Sequence, residues 1–333
     1  MIYAYNEIEH VHLEVSTLCN AKCPICPRNF KGYPHNGGYP ELNLTLENVK
    51  KIFTNEFLQQ LKGILINGNF GDAVMNPEVP KMVKYFKSAN PNIDIEITTN
   101  GSARNKQWWE DLAKYGANVF FDLDGLDNNT HKLYRQNTLF ETVIRNAKIF
   151  MNAGGKATWK LIPFEHNKHQ IQQCEQLSKE LGFEKFWITD DGRDTTEVYD
   201  SNGNLTHVIG NIKHPNNTVF DDLNNSIEWK EEYCDYSSMG NESANINCDV
   251  KRNNSVYVTA TGEVFPCCWT AYYPKTYSLV GNQQINKIVN NNNALEVGIE
   301  NAIQWFDSIE QSWNKNTYND GRLFICDNQC GCN

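Results

Sequence analysis

The alternation of short apolar segments with helical patterns constrains the fold of this chain more than any other feature of its sequence. Between the apolar segments, apolar residues recur at helical spacing, most clearly over 140–151 and 171–181, where glycines follow and stop each helix. Thr45 stands where it can cap an earlier helix. Short segments that are rich in β-branched or aromatic residues and bounded by turn residues predict strands. Such segments cover residues 10–15, 63–66, 93–98, 119–123, 157–162 and 185–188.

Alternating strands and helices predict a parallel sheet, because parallel neighbours need a crossover connection. Six units are too few for a complete eight-unit barrel, so we expect an α/β fold, a partial (β/α)6 TIM-like barrel over residues 1–190, with ligands at the carboxyl ends of its strands. Residues 191–232 are rich in Asp, Asn, Gly and Thr, which indicates a linker or insertion. Residues 233–333 contain seven of the eleven cysteines, which predicts a small cysteine-rich α+β domain that binds metal.

Charge and composition exclude several classes of protein. The net charge of −10 gives no general attraction to nucleic acid or to an anionic membrane, and we expect neither as a partner. The sequence lacks both a continuous apolar stretch of about 20 residues and a secretion signal at its start, so we predict a cytoplasmic protein. Clustered cysteines in the reducing cytosol bind metal more often than they form disulfides.

Three closely spaced cysteines follow the first predicted strand. Cys19, Cys23 and Cys26 are separated by three and two residues, a spacing that lets them ligate three irons of a 4Fe–4S cube. The fourth iron then has no local thiolate, and an open metal position is what chemistry requires. The spacing by itself is also compatible with a zinc loop that has a distant fourth ligand.

Four segments at the ends of successive predicted strands resemble motifs of the radical S-adenosylmethionine (SAM) superfamily, and the resemblance covers roughly residues 8–190. They are "HLEVSTLCNAKCPIC", "INGNFGDAVMNPE", "ITTNG" and "FDLDGLDNNTHKLYRQNTLFETV". The resemblance implies that Cys19, Cys23 and Cys26 hold the 4Fe–4S cluster that cleaves SAM, whose amino and carboxylate groups chelate the fourth iron. It also implies a set of SAM contacts: Ile25, Phe70, Gly71, Asp72, Thr99, Asn100, Asp122, Asp124 and Arg135.

Several of these contacts have plainer interpretations. Asp72 stands where the family more often has Glu, so its carboxylate is shorter by one methylene, although the backbone carbonyls beside it can still accept from an ammonium. Asp122 and Asp124 point to the same side of the pleat, and either one can bind the SAM ribose or cap a helix. Asn100 before a glycine is also typical of a turn, and Arg135 is equally compatible with a surface charge.

The C-terminal cysteines resemble the auxiliary-cluster domain of the SPASM and twitch subfamilies. The segment "SVYVTATGEVFPCC" predicts a β-hairpin that returns Cys267 toward Cys248. The ligands that we predict for one auxiliary 4Fe–4S cluster are Cys248, Cys267, Cys326 and Cys330. Cys268 and Cys332 are possible replacements, Cys234 leaves a second auxiliary site open, and a structural zinc site is the alternative. Cys174 lies on the apolar stripe of a helix and is predicted to be a buried thiol.

The resemblance implies an enzyme that reductively cleaves SAM to a 5′-deoxyadenosyl radical, which abstracts hydrogen from a substrate. The auxiliary cluster then accepts an electron, giving net oxidation, or orients the substrate. The electron donor is expected to be a flavodoxin- or ferredoxin-like protein. The substrate is a small molecule or a peptide, and the position of Cys19 near the start leaves no room for a preceding leader-recognition domain.

Residues after the fifth strand also point near the predicted cavity. His166, Asn167 and His169 are candidates for substrate binding, with a helix-capping role as the alternative for Asn167. The competing hypotheses for the whole chain are a non-enzymatic zinc or iron–sulfur protein and a degenerate homologue that acts in electron transfer or structure.

Overall fold

The computed structural model describes most of the chain. The ranges that it describes are residues 3–26, 28–30, 33–34, 40–189, 196–200, 202–210, 245–271, 280–318 and 320–332. Cys234, the side chain of Cys332, and the predicted domain boundaries near 190 and 233 lie outside the described residues. The division into domains therefore stays a prediction.

Strands and helices alternate through the first two thirds of the chain. The strands are β1 (His10–Leu13), β2 (Asn29–Phe30), β3 (Tyr33–Pro34), β4 (Gly63–Ile66), β5 (Asp94–Thr99), β6 (Asn118–Asp122), β7 (Lys156–Leu161), β8 (Lys185–Ile188), β9 (Thr196–Tyr199), β10 (Leu205–Ile209), β11 (Asn245–Ile246), β12 (Ser255–Val258), β13 (Val264–Phe265) and β14 (Gly331–Cys332). The α-helices are α1 (Leu46–Ile52), α2 (Asn55–Gln60), α3 (Val79–Ala89), α4 (Lys106–Lys114), α5 (Asn128–Tyr134), α6 (Phe140–Asn152), α7 (Ile171–Leu181), α8 (Asp249–Arg252), α9 (Val280–Ile288), α10 (Ala294–Val297), α11 (Ile299–Ala302), α12 (Phe306–Ser312) and α13 (Phe324–Cys330).

The main sheet contains the six predicted strands as consecutive parallel neighbours. Its order is β13-β12-β1-β4-β5-β6-β7-β8, and every pair from β1 to β8 runs parallel. The predicted helix signals are confirmed as well. The Thr45 hydroxyl accepts from the Asn48 N–H at 3.1 Å at the start of α1. Gly182 ends α7 with a φ of +88°, a left-handed conformation that favours glycine.

The hydrophobic core lies between this sheet and the helices that cover it. Strand side chains such as Leu13, Ile66 and Phe121 are completely buried, and Trp109 of α4 packs its ring 5.3 Å from that of Phe121. Burying each of these side chains contributes about 1.5–3 kcal/mol. None of the helices in the described part of the chain combines the length and apolarity that crossing a membrane requires.

The C-terminal hairpin extends the main sheet. β12 and β13 pair in antiparallel fashion, which confirms the predicted hairpin. β12 also runs parallel to β1, with Val11 opposite Val256 and Leu13 opposite Val258. The cysteine-rich region is therefore continuous with the sheet through β1, a connection that the sequence did not indicate.

A second hairpin lies within the segment that was predicted to be a linker. β9 and β10 pair in antiparallel fashion, and Val198 and Ile209 are completely buried. Both side chains pack in one apolar cluster with Ala21 and Cys23 of the cysteine loop. The hairpin therefore covers part of that loop.

Candidate active site

The first cysteine triplet lies in the loop that leaves the carboxyl end of β1. The N–H of Cys26 donates to the carbonyl of Cys23 at 3.1 Å, which makes this part of the loop a tight turn. Burial raises the pKa of Cys19 well above its usual value, and the neighbouring Asp72 and the two other thiols raise it further. Polar side chains from two other elements approach the sulfurs: Asn100 Nδ2 is 3.8 Å from Cys19 Sγ, and Arg135 Nη1 is 4.0 Å from Cys23 Sγ.

The loop after β4, residues 67–72, packs directly against the residues that follow β1. The N–H groups of Phe70 and Gly71 donate to Glu14 Oε1 at 2.8 and 3.2 Å. A Cβ atom on Gly71 would lie 1.7 Å from the carbonyl oxygen of Ser16. Only glycine fits at this position, and the loop is held at the edge of the sheet where the cysteines lie.

Asp72 joins this loop to the end of β5. Its Oδ1 accepts from the Thr99 hydroxyl at 2.5 Å and from the Val74 N–H at 3.0 Å, and its Oδ2 accepts from the Asn100 N–H at 2.8 Å. Burial raises the pKa of Asp72, while these hydrogen bonds oppose the rise. The carboxylate thus positions Thr99 and Asn100, and its direct contact with SAM remains a prediction.

Asp122 and Asp124 share Arg135 in a buried ion group, and their surroundings differ. Arg135 Nε is 2.6 Å from Asp124 Oδ2, and its Nη1 is 3.2 Å from Asp122 Oδ2. The second oxygen of Asp124 accepts from the Ile162 N–H at 2.7 Å. The second oxygen of Asp122 is buried and has no hydrogen-bond partner in the described part of the protein. Asp122 can therefore accept a hydrogen bond from a ligand hydroxyl, whereas both carboxylate oxygens of Asp124 already have a partner in the protein.

An apolar cluster lies beside this ion group, and the imidazole ring of His166 packs on it. Ile25 packs against a cluster that contains Tyr134 and Phe164, and the guanidinium of Arg135 lies 5.0 Å from the centre of the Tyr134 ring. His166 stacks on Phe164 at 5.3 Å, and both of its ring nitrogens are buried without partners among the described residues. Burial lowers the pKa of His166 to about 4, so the ring is neutral.

The other two candidates after β7 differ from His166. Asn167 Oδ1 accepts from the Phe164 N–H at 2.7 Å, and its Nδ2 donates to the Ile162 carbonyl at 2.9 Å. Its side chain therefore closes the turn after β7. His169 is exposed.

The four predicted C-terminal ligands line one pocket. Cys330 hydrogen-bonds to Cys248 and lowers the pKa of that thiol to about 7, whereas burial raises the pKa of Cys267 to about 11. The apolar side chains that share the pocket with the four cysteines are Ile246, Val250, Pro266, Trp269, Ile309, Trp313 and Ile325. The thiol of Cys268 lies outside this lining, and its pKa is raised to about 12 mainly by burial.

The nine cysteines whose side chains are described are all free thiols. Among the described residues, no three His, Cys, Asp or Glu side chains converge as the ligands of a single metal ion do. A 4Fe–4S cluster does not need that convergence, because each thiolate binds a different iron. The thiolate-forming residues of both groups match the donors that such clusters take.

Sequence reasoning missed several residues that shape the site. Glu14, Asn69 and Tyr257 contact one another around the loop 67–72, and His131 accepts from the Asp124 N–H at 3.3 Å. Glu14 carried a signal, because it is a carboxylate within the apolar run at the end of the first strand. The partners of the other three depend on tertiary structure.

The fold and the site define an α/β protein whose first cysteine triplet lies at the carboxyl ends of parallel strands. Residues 13–169 match the model of the Radical SAM superfamily. Through that segment the chain is similar to this superfamily.

Two individual relatives are 20–28% identical to this chain over the regions that match. FeMo cofactor biosynthesis protein NifB of Methanocaldococcus jannaschii is 28% identical over 31% of this chain, and the match spans about a third (36%) of that protein. The tungsten-containing aldehyde ferredoxin oxidoreductase cofactor-modifying protein of Pyrococcus furiosus is 20% identical, over 92% of this chain and 85% of that protein. The solved structure of anSMEcpe with bound AdoMet shares the fold, with a TM-score of 0.56 and 14% identity. The match covers 97% of this chain and 89% of that chain.

Proposed function

We propose that this protein is a radical SAM enzyme in which Cys19, Cys23 and Cys26 hold the SAM-cleaving 4Fe–4S cluster. The observation that carries the proposal is the approach of side chains from β5 and the helix after β6 to the cysteine sulfurs, Asn100 to Cys19 and Arg135 to Cys23. These side chains come from the motifs that resemble the SAM contacts of the superfamily.

Each described element has a task in this proposal. When bound, the cluster and SAM supply a 5′-deoxyadenosyl radical by one-electron reductive cleavage. The free Oδ1 of Asp122 accepts a hydrogen bond from a ribose hydroxyl. The backbone of Phe70 and Gly71, fixed by Glu14, forms the wall for the amino group of SAM. Val198 and Ile209 of the β9–β10 hairpin exclude water from the cysteine loop, which protects a radical reaction from side reactions.

We assign a second cluster to Cys248, Cys267, Cys326 and Cys330, as in the twitch type of the superfamily. The apolar lining of their pocket supports this assignment, because it shields a redox centre from water. Held by these four cysteines, a 4Fe–4S cluster would supply an acceptor for the electron that a substrate radical releases, which would make the net reaction an oxidation. In this proposal residues 1–190 form the SAM-cleaving core, and residues 233–333 form the auxiliary-cluster region.

The substrate in this proposal is a small molecule or a peptide. A peptide substrate is supported by the similar structure of anSMEcpe, which has been solved with bound AdoMet and the Cp18Cys peptide. His166 offers a substrate one donor and one acceptor from a neutral ring. A flavodoxin- or ferredoxin-like protein supplies the electron, which places the enzyme in the reducing cytoplasm.

The test is formation of 5′-deoxyadenosine. Protein purified without oxygen and reconstituted with iron and sulfide is reduced with dithionite, given SAM and assayed by chromatography. We expect 5′-deoxyadenosine from the wild type and from Cys174→Ala, a matched control whose thiol is buried in the core. We expect none from Cys23→Ala. If a fully iron-loaded wild type forms no product, the enzyme proposal is refuted in favour of the electron-transfer or degenerate alternative.

A further inference from the structure

We propose that Glu14, Asn69 and Tyr257 form a bridge that couples the four-cysteine site of the C-terminal half to the loop 67–72. A filled C-terminal site then strengthens SAM binding at the first site. This inference rests on the proposed function, because it takes the loop 67–72 as a wall of the SAM site. The three residues are positioning residues, since each acts through the backbone that it holds.

Glu14 fixes the loop from the side of β1. Its side chain is completely buried, and its Oε1 accepts from two successive N–H groups, those of Phe70 and Gly71. A Cβ atom on Gly68 would lie 2.7 Å from the same oxygen, so the loop bends closely around the carboxylate. A buried carboxyl oxygen that accepts from two backbone N–H groups holds those donors firmly, because leaving a buried donor without a partner is costly.

Asn69 fixes the same loop from the side of the C-terminal half. Its Nδ2 donates to the carbonyl of Cys268 at 2.8 Å. Cys268 directly follows Cys267, one of the four thiols that line the C-terminal pocket. Asn69 precedes Phe70, a proposed SAM contact, and Cys268 follows Cys267, a proposed cluster ligand. A direct hydrogen bond therefore joins the neighbours of these two residues.

Tyr257 supplies a second connection through β12. It is completely buried, and its hydroxyl accepts from the Asn69 N–H at 3.4 Å and lies beside the Glu14 carboxyl. Its ring packs edge-on against His12 at 4.7 Å, and His12 Nε2 is 2.7 Å from the carbonyl of Asn67. The loop is thus tied directly to the C-terminal half at Asn69, and indirectly at Asn67 through His12 of β1.

These contacts leave the loop little freedom to move apart from the C-terminal half. Metal binding at the four cysteines orders the segment around Cys267 and Cys268, and the bond to Asn69 passes that order to the loop. A loop that is already ordered loses less conformational entropy when SAM binds. Coupling free energies of this kind correspond to about 5- to 150-fold changes in affinity.

The experiment is a double-mutant cycle on SAM affinity. Anaerobic, reconstituted but unreduced protein is titrated with SAM by calorimetry, so that binding is measured without turnover. We expect Cys267→Ala and Asn69→Ala each to weaken SAM binding about tenfold, and the double variant to be no weaker than either single one. Asn118→Ala, which removes an amide from the opposite end of the sheet, is the matched control and keeps wild-type affinity.

A second readout needs neither metal nor SAM. Hydrogen exchange of the apoprotein should show faster exchange of the Phe70 and Gly71 amides in both Asn69→Ala and Glu14→Ala, and wild-type exchange in Asn118→Ala. Unchanged exchange in both variants, or effects of Asn69→Ala and Cys267→Ala that multiply in the double variant, refutes the bridge. A wild type that exchanges as expected but binds no SAM refutes the proposed function and leaves the bridge as a structural link.

Discussion

At the scale of single residues, a few buried polar atoms without partners among the described residues are free to bind a ligand. An unpaired buried polar atom costs about 1–3 kcal/mol, so proteins rarely keep one without a use. Among the described residues these atoms include Asp122 Oδ1 and both ring nitrogens of His166. Asp122 is the last residue of β6 and His166 follows β7, so both lie toward the carboxyl ends of the strands, where the cysteine loop also lies.

Substitutions of Asp122 and Asp124 should have different effects on SAM binding and on the free energy of unfolding. Asp122→Asn should weaken SAM binding about tenfold, the effect of losing about 1.4 kcal/mol, and should lower the free energy of unfolding less than Asp124→Asn does, because its contact with Arg135 is the longer one, at 3.2 against 2.6 Å. Asp124→Asn should lower that free energy by about 3 kcal/mol, because it breaks a buried ion pair with Arg135. Calorimetry and urea unfolding measure the two quantities. The reverse order of effects would assign the ribose to Asp124.

His131 should make the fold sensitive to acid. Burial and the charge of Arg135 lower the pKa of His131 to about 3, against 6.5 in the unfolded chain. Below pH 6.5 the unfolded state therefore takes up a proton that the folded state does not, and stability falls by up to roughly 1.4 kcal/mol per pH unit.

The check on His131 is urea unfolding between pH 6.5 and 4.5. The slope of stability against pH should be flatter in His131→Gln than in the wild type, with the exposed His169→Gln as the matched control. Equal slopes in the wild type and His131→Gln would mean that this histidine is protonated in the folded protein.

At the scale of elements, the loop 67–72 depends on a backbone contact that no side chain tolerates. A methyl group on Gly71 would overlap the Ser16 carbonyl, so the loop and the end of β1 must separate in Gly71→Ala. Gly154→Ala meets no atom within 4 Å and only adopts a strained φ of +90°, which costs about 1–2 kcal/mol.

Gly71→Ala should therefore abolish measurable SAM binding, whereas Gly154→Ala should bind SAM normally. Calorimetry tests both variants, and circular dichroism confirms that each remains folded. Normal SAM affinity in folded Gly71→Ala would place the ligand away from this loop.

The elements also show what the sequence can and cannot predict. The six parallel strands and the ends of α6 and α7 follow from local periodicity and from stop signals such as Gly182, which need no knowledge of tertiary partners. The pairing of β1 with β12 was not predicted, because the apolar pattern of a strand does not specify its neighbour. The β9–β10 hairpin was missed because its strands are short and lie in a segment of polar composition.

The same limit applies to the site. Spacing and resemblance named the cysteines and the two aspartates, but only tertiary contacts distinguish Asp122, with its free oxygen, from Asp124. Likewise, the sequence presented Asp72 as a SAM contact, and its three hydrogen bonds to Thr99, Val74 and Asn100 became visible only in the fold.

At the scale of the whole molecule, two cysteine groups predict two clusters. Reconstituted wild type should contain about eight iron atoms per chain, four in each 4Fe–4S cluster. Cys23→Ala and Cys330→Ala should each retain about four, measured by iron assay and electron paramagnetic resonance of the reduced protein. Full iron content in Cys330→Ala would exclude this cysteine as an auxiliary ligand, and Cys174→Ala serves as the control.

The position of β1 between β4 and β12 also affects how the chain is made. Residue 13 leaves the ribosome long before residue 258, its partner in β12. At the usual 5–20 residues per second, the delay is roughly 10–50 s. During that time one edge of β1 has no strand beside it, so the nascent chain exposes an unpaired strand edge next to the three cysteines of the first site. A nascent chain stalled before β12 is therefore expected to depend on chaperones.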